Sequence, residues 1–159
     1  MIDFFKNNNS EAFNVWHEEN CVKTILFSGQ HLQNHFITHF NLVNIDFSAS
    51  IIEDCYFKNV QFGASNFTKV QFKNCYFVSC HFGVPELISA NSYLTHFLFQ
   101  PPIFSDTHFF NCFMLNTNFR EIDLKNSHFE EGVMEKCDMR NAVLSNVKLK
   151  EVKLLHNLV

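Results

Sequence analysis

Little in this chain interrupts a regular fold. Its 159 residues include only 4 Gly and 3 Pro, which excludes long flexible linkers. No apolar run reaches 18 residues, so no helical membrane span is expected. The start, MIDFFKNNNS, lacks the basic segment, apolar run and small-residue cleavage site of a signal peptide. A cytoplasmic location is the expectation. Basic charge is not in excess either: the formal net charge is −4. A general nucleic-acid binder needs basic surface to neutralise phosphates, so direct nucleic-acid binding is not expected. No Cys-x-x-Cys zinc spacing, Gly-rich phosphate loop, nucleophile elbow or zincin motif is present. Neither an enzyme nor a cofactor or metal protein is expected.

What the chain does have is Phe, 21 of them, within a hydrophobic fraction of 47%. The length fits one domain. Stepping by five from Val22 meets Phe27, Leu32, Ile37, Leu42, Phe47, Ile52, Phe57, Phe62, Phe67, Phe72, Phe77, Phe82 and Leu87, all apolar. Fourteen apolar residues in a row arise by chance roughly 3 times in 100,000 at this composition. A second comb runs from Leu94 through Phe99, Phe104, Phe109, Met114, Phe119, Leu124, Phe129, Met134, Met139, Leu144 and Leu149 to Leu154. Neither a helix of period 3.6 nor a strand of period 2 produces this spacing.

The neighbours of each comb residue repeat as well. Two positions before it stand small or β-branched residues such as Ser50, Cys55, Val60, Ser65, Thr107, Cys112 and Thr117. Two positions after it stand Asn44, Asp54, Asn59, Asn74, Asp106, Asn111, Asn116, Asn126, Asn141 and Asn146, residue types that tolerate turn conformations. Each five-residue unit therefore has one large inward residue, one small inward residue and a polar corner. Four corners close a square, so a coil takes twenty residues, and stacked coils pair as parallel strands about 4.8 Å apart.

The segments SNFTK (65–69), TNFRE (117–121), IDLKN (122–126) and CDMRN (137–141) resemble the pentapeptide repeat family. The resemblance spans roughly residues 37–155. It departs from the family pattern in favouring Tyr, His or Gln just before the centre. It implies an all-β fold, a right-handed quadrilateral parallel β-helix. It also implies a role in presenting a surface: some members resemble B-DNA and bind type II topoisomerases, protecting them from quinolones or peptide toxins. Relatives often dimerise end to end through the C-terminal coil.

Residues 1–21 lie off the pattern and are expected to cap the solenoid, whose open ends need cover. Ser10 is placed to cap a helix over Glu11–Glu19, with Ala12, Val15 and Trp16 on its packing face. The repeat region is 22–155. The apolar tail at 156–159, with Leu154 and Leu155 before it, either covers the last coil or meets a second copy. The two combs are out of phase by two residues, and the slip lies within 83–103, which holds Pro85, Pro101 and Pro102. That segment is either a tolerated kink or a loop gripped by a partner. Twenty-seven centres give about seven coils.

Buried Cys at the small inward position reads as packing, although Cys55 and Cys75, one coil apart, leave a bridge conceivable. His108 and His128, twenty apart and followed by Lys148, read as a surface ladder. Stepping by twenty also stacks Glu131 and Glu151 below Asn111, Asn118 on Asp138, Arg120 on Arg140 and Glu130 on Lys150. Seven coils span about 32 Å, a length over which duplex DNA carries roughly 19 phosphate charges. Charge mimicry thus requires the acids to cluster on one face.

The function this supports is a non-enzymatic rod that docks a protein partner. A type II topoisomerase is one candidate, and a structural or effector scaffold for another protein is the alternative. The residues expected to meet the partner are Glu86, Leu87, Tyr93, His96, Glu131 and Glu151. Phe47, Phe57, Phe62, Phe67, Phe72, Phe77, Phe82, Phe109, Phe119, Leu124 and Phe129 are expected to fill the core.

Overall fold

A computed structural model describes residues 1–20, 22–83 and 101–159. The repeat units wind into a right-handed four-sided β-helix with a helical N-terminus. Each unit places its centre on one of four faces. The second face carries the ladder His31, Ile51, Gln71, His108, His128, Lys148. The third carries Phe36, Tyr56, Tyr76, Phe113, Val133, Lys153. Every ladder is parallel and has six rungs.

The corner rule holds at every described unit from Phe27 on; at the first comb position it fails, since Val22 is 67% exposed and Thr24 does not take the left-handed conformation. The residue two after the centre has positive φ, including Asn44 (54°), Asp54 (52°), Asn74 (52°), Asn111 (48°) and Asn146 (58°). A left-handed residue turns the strand by about a right angle without breaking the inward alternation. Asn and Asp adopt it at least cost. Ala49, Ala64, Lys69 and Glu121 adopt it too, so the stack imposes the corner where the side chain does not favour it.

All eleven core residues expected from the comb are buried. The preference for Phe has a geometric basis. Between coils the rings stack: Phe62 on Phe82 at 4.5 Å and 7°, Phe82 on Phe119 at 5.1 Å and 9°, Phe109 on Phe129 at 4.6 Å and 7°. Between adjacent faces they meet edge to face, as in Phe62–Phe67 at 74° and Phe72–Phe77 at 81°. Both arrangements are favourable for aromatic pairs, and one flat ring satisfies them together.

The small inward position forms its own columns. Cys55, Cys75 and Cys112 share one, with Gly132 below them. A Cβ on Gly132 would lie 2.3 Å from the Cys112 carbonyl oxygen, and its φ is 143°, so this place admits only glycine. The described thiols are free. Each hydrogen-bonds to backbone carbonyls, for example Cys75 Sγ to Ile52 O and Lys73 O at 3.3 Å each.

The structure corrects the expected number of coils. The coils pair in steps of twenty up to the third coil, where Asn66 pairs with Ile103 and Gln71 with His108. The step there is 37, seventeen more than one coil. The coil ending at Gly83 pairs directly with the one beginning at Pro101, as in Phe67 N to Ile103 O at 2.7 Å. The stack therefore has six coils rather than seven. The comb positions Leu87, Leu94 and Phe99 fall outside the described residues. A two-residue slip in the comb and a seventeen-residue surplus in the ladder are the same number modulo five, which is why periodicity alone could not separate them.

At the N-terminus, helix α1 (Ile2–Lys6) precedes helix α2 (Ser10–Asn20). The α2 cap is Asn9, whose Oδ1 accepts from Ala12 N at 3.1 Å; Ser10 lies within the helix. The packing face is Phe13, Trp16 and His17. Val15 is 58% exposed and Ala12 is exposed too. The helical spacing that starts from Phe13 wins because that ring packs on Phe40 at 5.1 Å, and Phe5 joins it at 5.3 Å. The cap also takes up the first coil's open hydrogen-bonding edge. Asn8 Oδ1 accepts from Thr38 N, Asn14 Oδ1 accepts from Asn41 N, and Asn14 Nδ2 donates to His39 O. His17 Nε2 donates to Val43 O at 2.8 Å.

Candidate interaction surface

A square coil sends alternate residues outward, so every outward column is continuous along the rod. On the third face that column is aromatic. Phe36 stacks on Tyr56 with centroids 4.4 Å apart, Tyr56 leans on Tyr76 at 6.3 Å, and Tyr76 stacks on Phe113 at 5.0 Å and 9°. These rings face solvent: Phe36 is 62% exposed and Tyr76 46%. Beside them, Val78 and the exposed Leu115 form a second outward column with Thr38 and Lys58. An apolar strip of this extent on a lateral face marks an interaction surface.

The corner between the second and third faces carries an amide ladder. Asn74 Nδ2 donates to Asp54 Oδ1 at 3.0 Å, and Asn111 Nδ2 donates to Asn74 Oδ1 at 2.9 Å. Glu131 and Glu151 continue the same corner and are exposed. A shallow groove runs between this ladder and the aromatic column, lined by Asp54, Asn74, Asn111, Phe36, Tyr56 and Tyr76. Of the residues expected to meet a partner, the structure thus sets Glu131 and Glu151 at one edge of the aromatic face. Glu86, Leu87, Tyr93 and His96 lie outside the described residues. The aromatic column itself was missed from sequence, although stepping by twenty from Phe36 gives Tyr56 and Tyr76.

The second face is mostly polar, with Ile51 and the exposed Phe110 among its outward residues. The His108 and His128 rings are 5.7 Å apart and edge to face. Glu130 sits 3.6 Å from His108 and pairs with Lys150, and the Lys150 ammonium holds the Glu130 carboxyl below its usual range. On the fourth face Arg120 and Arg140, one coil apart, share Asp138, with Arg120 Nε at 3.9 Å and Arg140 Nη2 at 2.6 Å from its Oδ2. That pairing lowers the Asp138 carboxyl as well. Opposite charges are interleaved on these two faces.

Burial pushes the thiols of Cys55 and Cys80 up to about 12 and that of Cys137 up to about 11, and raises Cys75 as well. They are protonated at neutral pH and poor nucleophiles. Among the described residues no cluster of three His, Cys, Asp or Glu is placed to hold a metal ion, and no helix is long and apolar enough to cross a membrane.

The far end of the rod differs from the capped end. Leu144, Leu149 and Leu154, the centres of the last coil, are 38%, 52% and 49% exposed. With Met134, Met139 and Val159 they line an apolar hollow.

No curated protein matches the chain. A trypsin-treated variant of QnrB1, a plasmid-mediated fluoroquinolone resistance protein, is 14% identical over 83% of this chain and 90% of that one, with a TM-score of 0.41. A pentapeptide repeat protein from the Arabidopsis thaliana thylakoid lumen is 13% identical over 79% of this chain and 61% of that one, with a TM-score of 0.37. Rfr23 from the cyanobacterium Cyanothece 51142 is 11% identical over 93% and 98%, with a TM-score of 0.30. A family model described as pentapeptide repeats, in 8 copies, matches residues 41–82, 103–141 and 117–154. With that match spread over more than half of its length, this chain belongs to the pentapeptide repeat family.

Proposed function

We propose that this chain is a non-enzymatic, cytoplasmic binding protein that presents the side of its rod to a protein partner, and that the third face with its acidic corner is the docking surface. The observation that carries the reading is the solvent-facing column Phe36, Tyr56, Tyr76 and Phe113 beside Asp54, Glu131 and Glu151. Aromatic anchors flanked by charge are what protein interfaces use. A core filled by stacked Phe leaves no deep cleft of the kind catalysis needs.

A type II topoisomerase is the named candidate, on the strength of family membership. Shape rather than charge would carry such mimicry, since the faces interleave Lys and Arg with the acids. A scaffold for an unrelated protein is the second reading. The exposed Leu144, Leu149 and Leu154 favour a further role for the open end, as the seat of an end-to-end homodimer. A gyrase supercoiling assay across the micromolar range tests the candidate: a concentration-dependent change is expected, and its reversal to baseline in Tyr76→Glu. No effect of the native chain removes the topoisomerase. Affinity capture with native and Tyr76→Glu chains tests the surface for any other partner, which only the native chain should retain.

A further inference from the structure

The third face carries a pattern that tells which partner suits it. Its first outward column reads Phe36, Tyr56, Tyr76, Phe113, Val133, Lys153 from the first coil to the last. Its second reads Thr38, Lys58, Val78, Leu115, Glu135, Leu155. Both columns are apolar in the middle, and their charges lie toward the ends. Among the described residues neither Lys58 nor Lys153 has an ion-pair partner, so two cations on this face are left for another molecule.

We infer that the third face is self-complementary and takes a second copy of this chain, with the two rods antiparallel and the two-fold axis between the third and fourth coils. This rests on the reading that the third face is the docking surface. A two-fold axis lying along the strand direction turns each column onto itself in reverse order. Tyr76 then meets Phe113 of the second copy, and Val78 meets its Leu115, so the centre of the interface is apolar on both sides. Lys58 meets Glu135 of the second copy. Lys153 meets the exposed ring of Phe36, a cation over an aromatic side chain. Symmetry makes each contact twice. Thus every charge in the two columns finds an opposite charge or a ring.

The parallel alternative, with the axis along the rod, sets Glu135 against Val133 and Lys153 against Leu155, burying charge on apolar groups. That arrangement costs desolvation without compensation. In the antiparallel arrangement only the corner carboxylates Asp54 and Glu131 come level with one another. They lie at the rim, where solvent screens them. Gly83 and Pro101, where the described chain stops and resumes, lie on the fourth and first faces, away from this surface.

Six rungs at about 4.8 Å and five residues at about 3.3 Å give a face of about 500 Å² per copy. The total of about 1,000 Å² stands at the lower limit of specific interfaces, so association in the micromolar range is expected.

Charge reversal with mixing tests the arrangement, using sedimentation velocity on the full chain. The native chain should dimerise. Lys58→Glu alone and Glu135→Lys alone should each weaken the dimer by roughly tenfold or more, because like charges then face each other at two places. Mixing the two variants should restore association to the native level as a heterodimer, since each chain supplies the charge that the other needs. Unchanged melting of both variants will show that the fold is intact. A native chain that stays monomeric overturns the inference, and so does a mixture that fails to recover. Loss of the dimer through Leu154→Glu alone, with Lys58→Glu without effect, overturns it in favour of end-to-end pairing.

The docking reading fails separately. If the native chain is monomeric but Tyr76→Glu loses a captured partner, the surface stands and the second copy falls. If mixing restores dimers while Tyr76→Glu keeps the captured partner, self-pairing stands and that partner docks elsewhere.

Discussion

The two ends of the rod are built from the same unit and meet opposite fates. In the first coil Phe27, Leu32, Ile37 and Leu42 are 4%, 2%, 0% and 0% exposed, and in the last coil Leu144, Leu149 and Leu154 are 38–52% exposed. Nothing in the pentapeptide distinguishes them. The difference is what lies above or below: α1 and α2 pack on the first coil, and no described element packs on the last. In a solenoid each repeat buries its neighbour's core rather than its own, so the energetic meaning of a comb residue is set by its coil and not by its place in the motif.

The largest test of that comparison is truncation at equivalent centres. Phe67→Ala, with Phe47 and Phe104 stacked on its two sides, and Phe119→Ala, stacked on Phe82 and fully buried, should each cost about 3–5 kcal/mol. Leu149→Ala, at the same place in the unit but half exposed, should cost about 1 kcal/mol or less. Urea unfolding monitored by circular dichroism measures all three, and equal losses would break the comparison.

The cap comes next. Asn14→Ala strips partners from Asn41 N and His39 O, both at the first coil's edge, and should cost about 1 kcal/mol. The same change at Asn126, whose Oδ1 accepts only from the exposed Asn146, should be nearly neutral.

Acid should loosen the capped end first. Burial holds the His17 imidazole below its ordinary value. Its Nε2 donates to Val43 O, and its Nδ1 is buried without a partner. The unfolded chain takes up a proton at about pH 6.5 and the folded chain resists it, so stability declines as pH falls below about 6.5 toward the depressed folded value. Thermal melts at pH 7 and pH 5 should separate the native chain from His17→Gln, whose amide can still donate to Val43 O: the native chain should lose more. His81, also lowered by burial, contributes the same sign to both proteins and drops out of the difference. Parallel losses would place the acid response elsewhere.

The smallest effect concerns the corners. Lys69 holds φ at 59°, so Lys69→Gly relieves about 1 kcal/mol of backbone strain and gives back part of it in chain entropy. A net gain of about 0.5 kcal/mol is expected, readable as a shift in urea midpoint. A loss of similar size would mean that the stack, not the residue, sets the corner's cost.

Much of this was legible in the sequence, and the exceptions share a cause. Centres, small inward residues, corners and the twenty-residue columns such as Glu130 on Lys150 and Gln61 on His81 follow from local periodicity, and the structure contains them. The coil count was not legible, because Leu87, Leu94 and Phe99 keep an apolar rhythm that only the pairing of Gln71 with His108 interprets. The packing face of α2 was misread because Val15 and Trp16 look equally apolar in sequence, whereas Phe40, far along the chain, selects Phe13. Of the docking surface, Glu131 and Glu151 were readable as a column. Their neighbour Phe113 was not, since it joins Phe36, Tyr56 and Tyr76 only through a step of 37.

That step has a consequence for how the molecule holds together. Between the third and fourth coils the ladder of hydrogen bonds and the stacked rings of Phe67 on Phe104, Phe72 on Phe109 and Phe82 on Phe119 continue unbroken, although paired residues there stand 37 apart in sequence rather than twenty. The two halves thus recognise each other as separate subunits would, through matching cross-sections. The joint is therefore held by the same backbone hydrogen bonds and ring stacking as any other pair of coils, so what one coil reads in the next is its cross-section and not its distance along the chain.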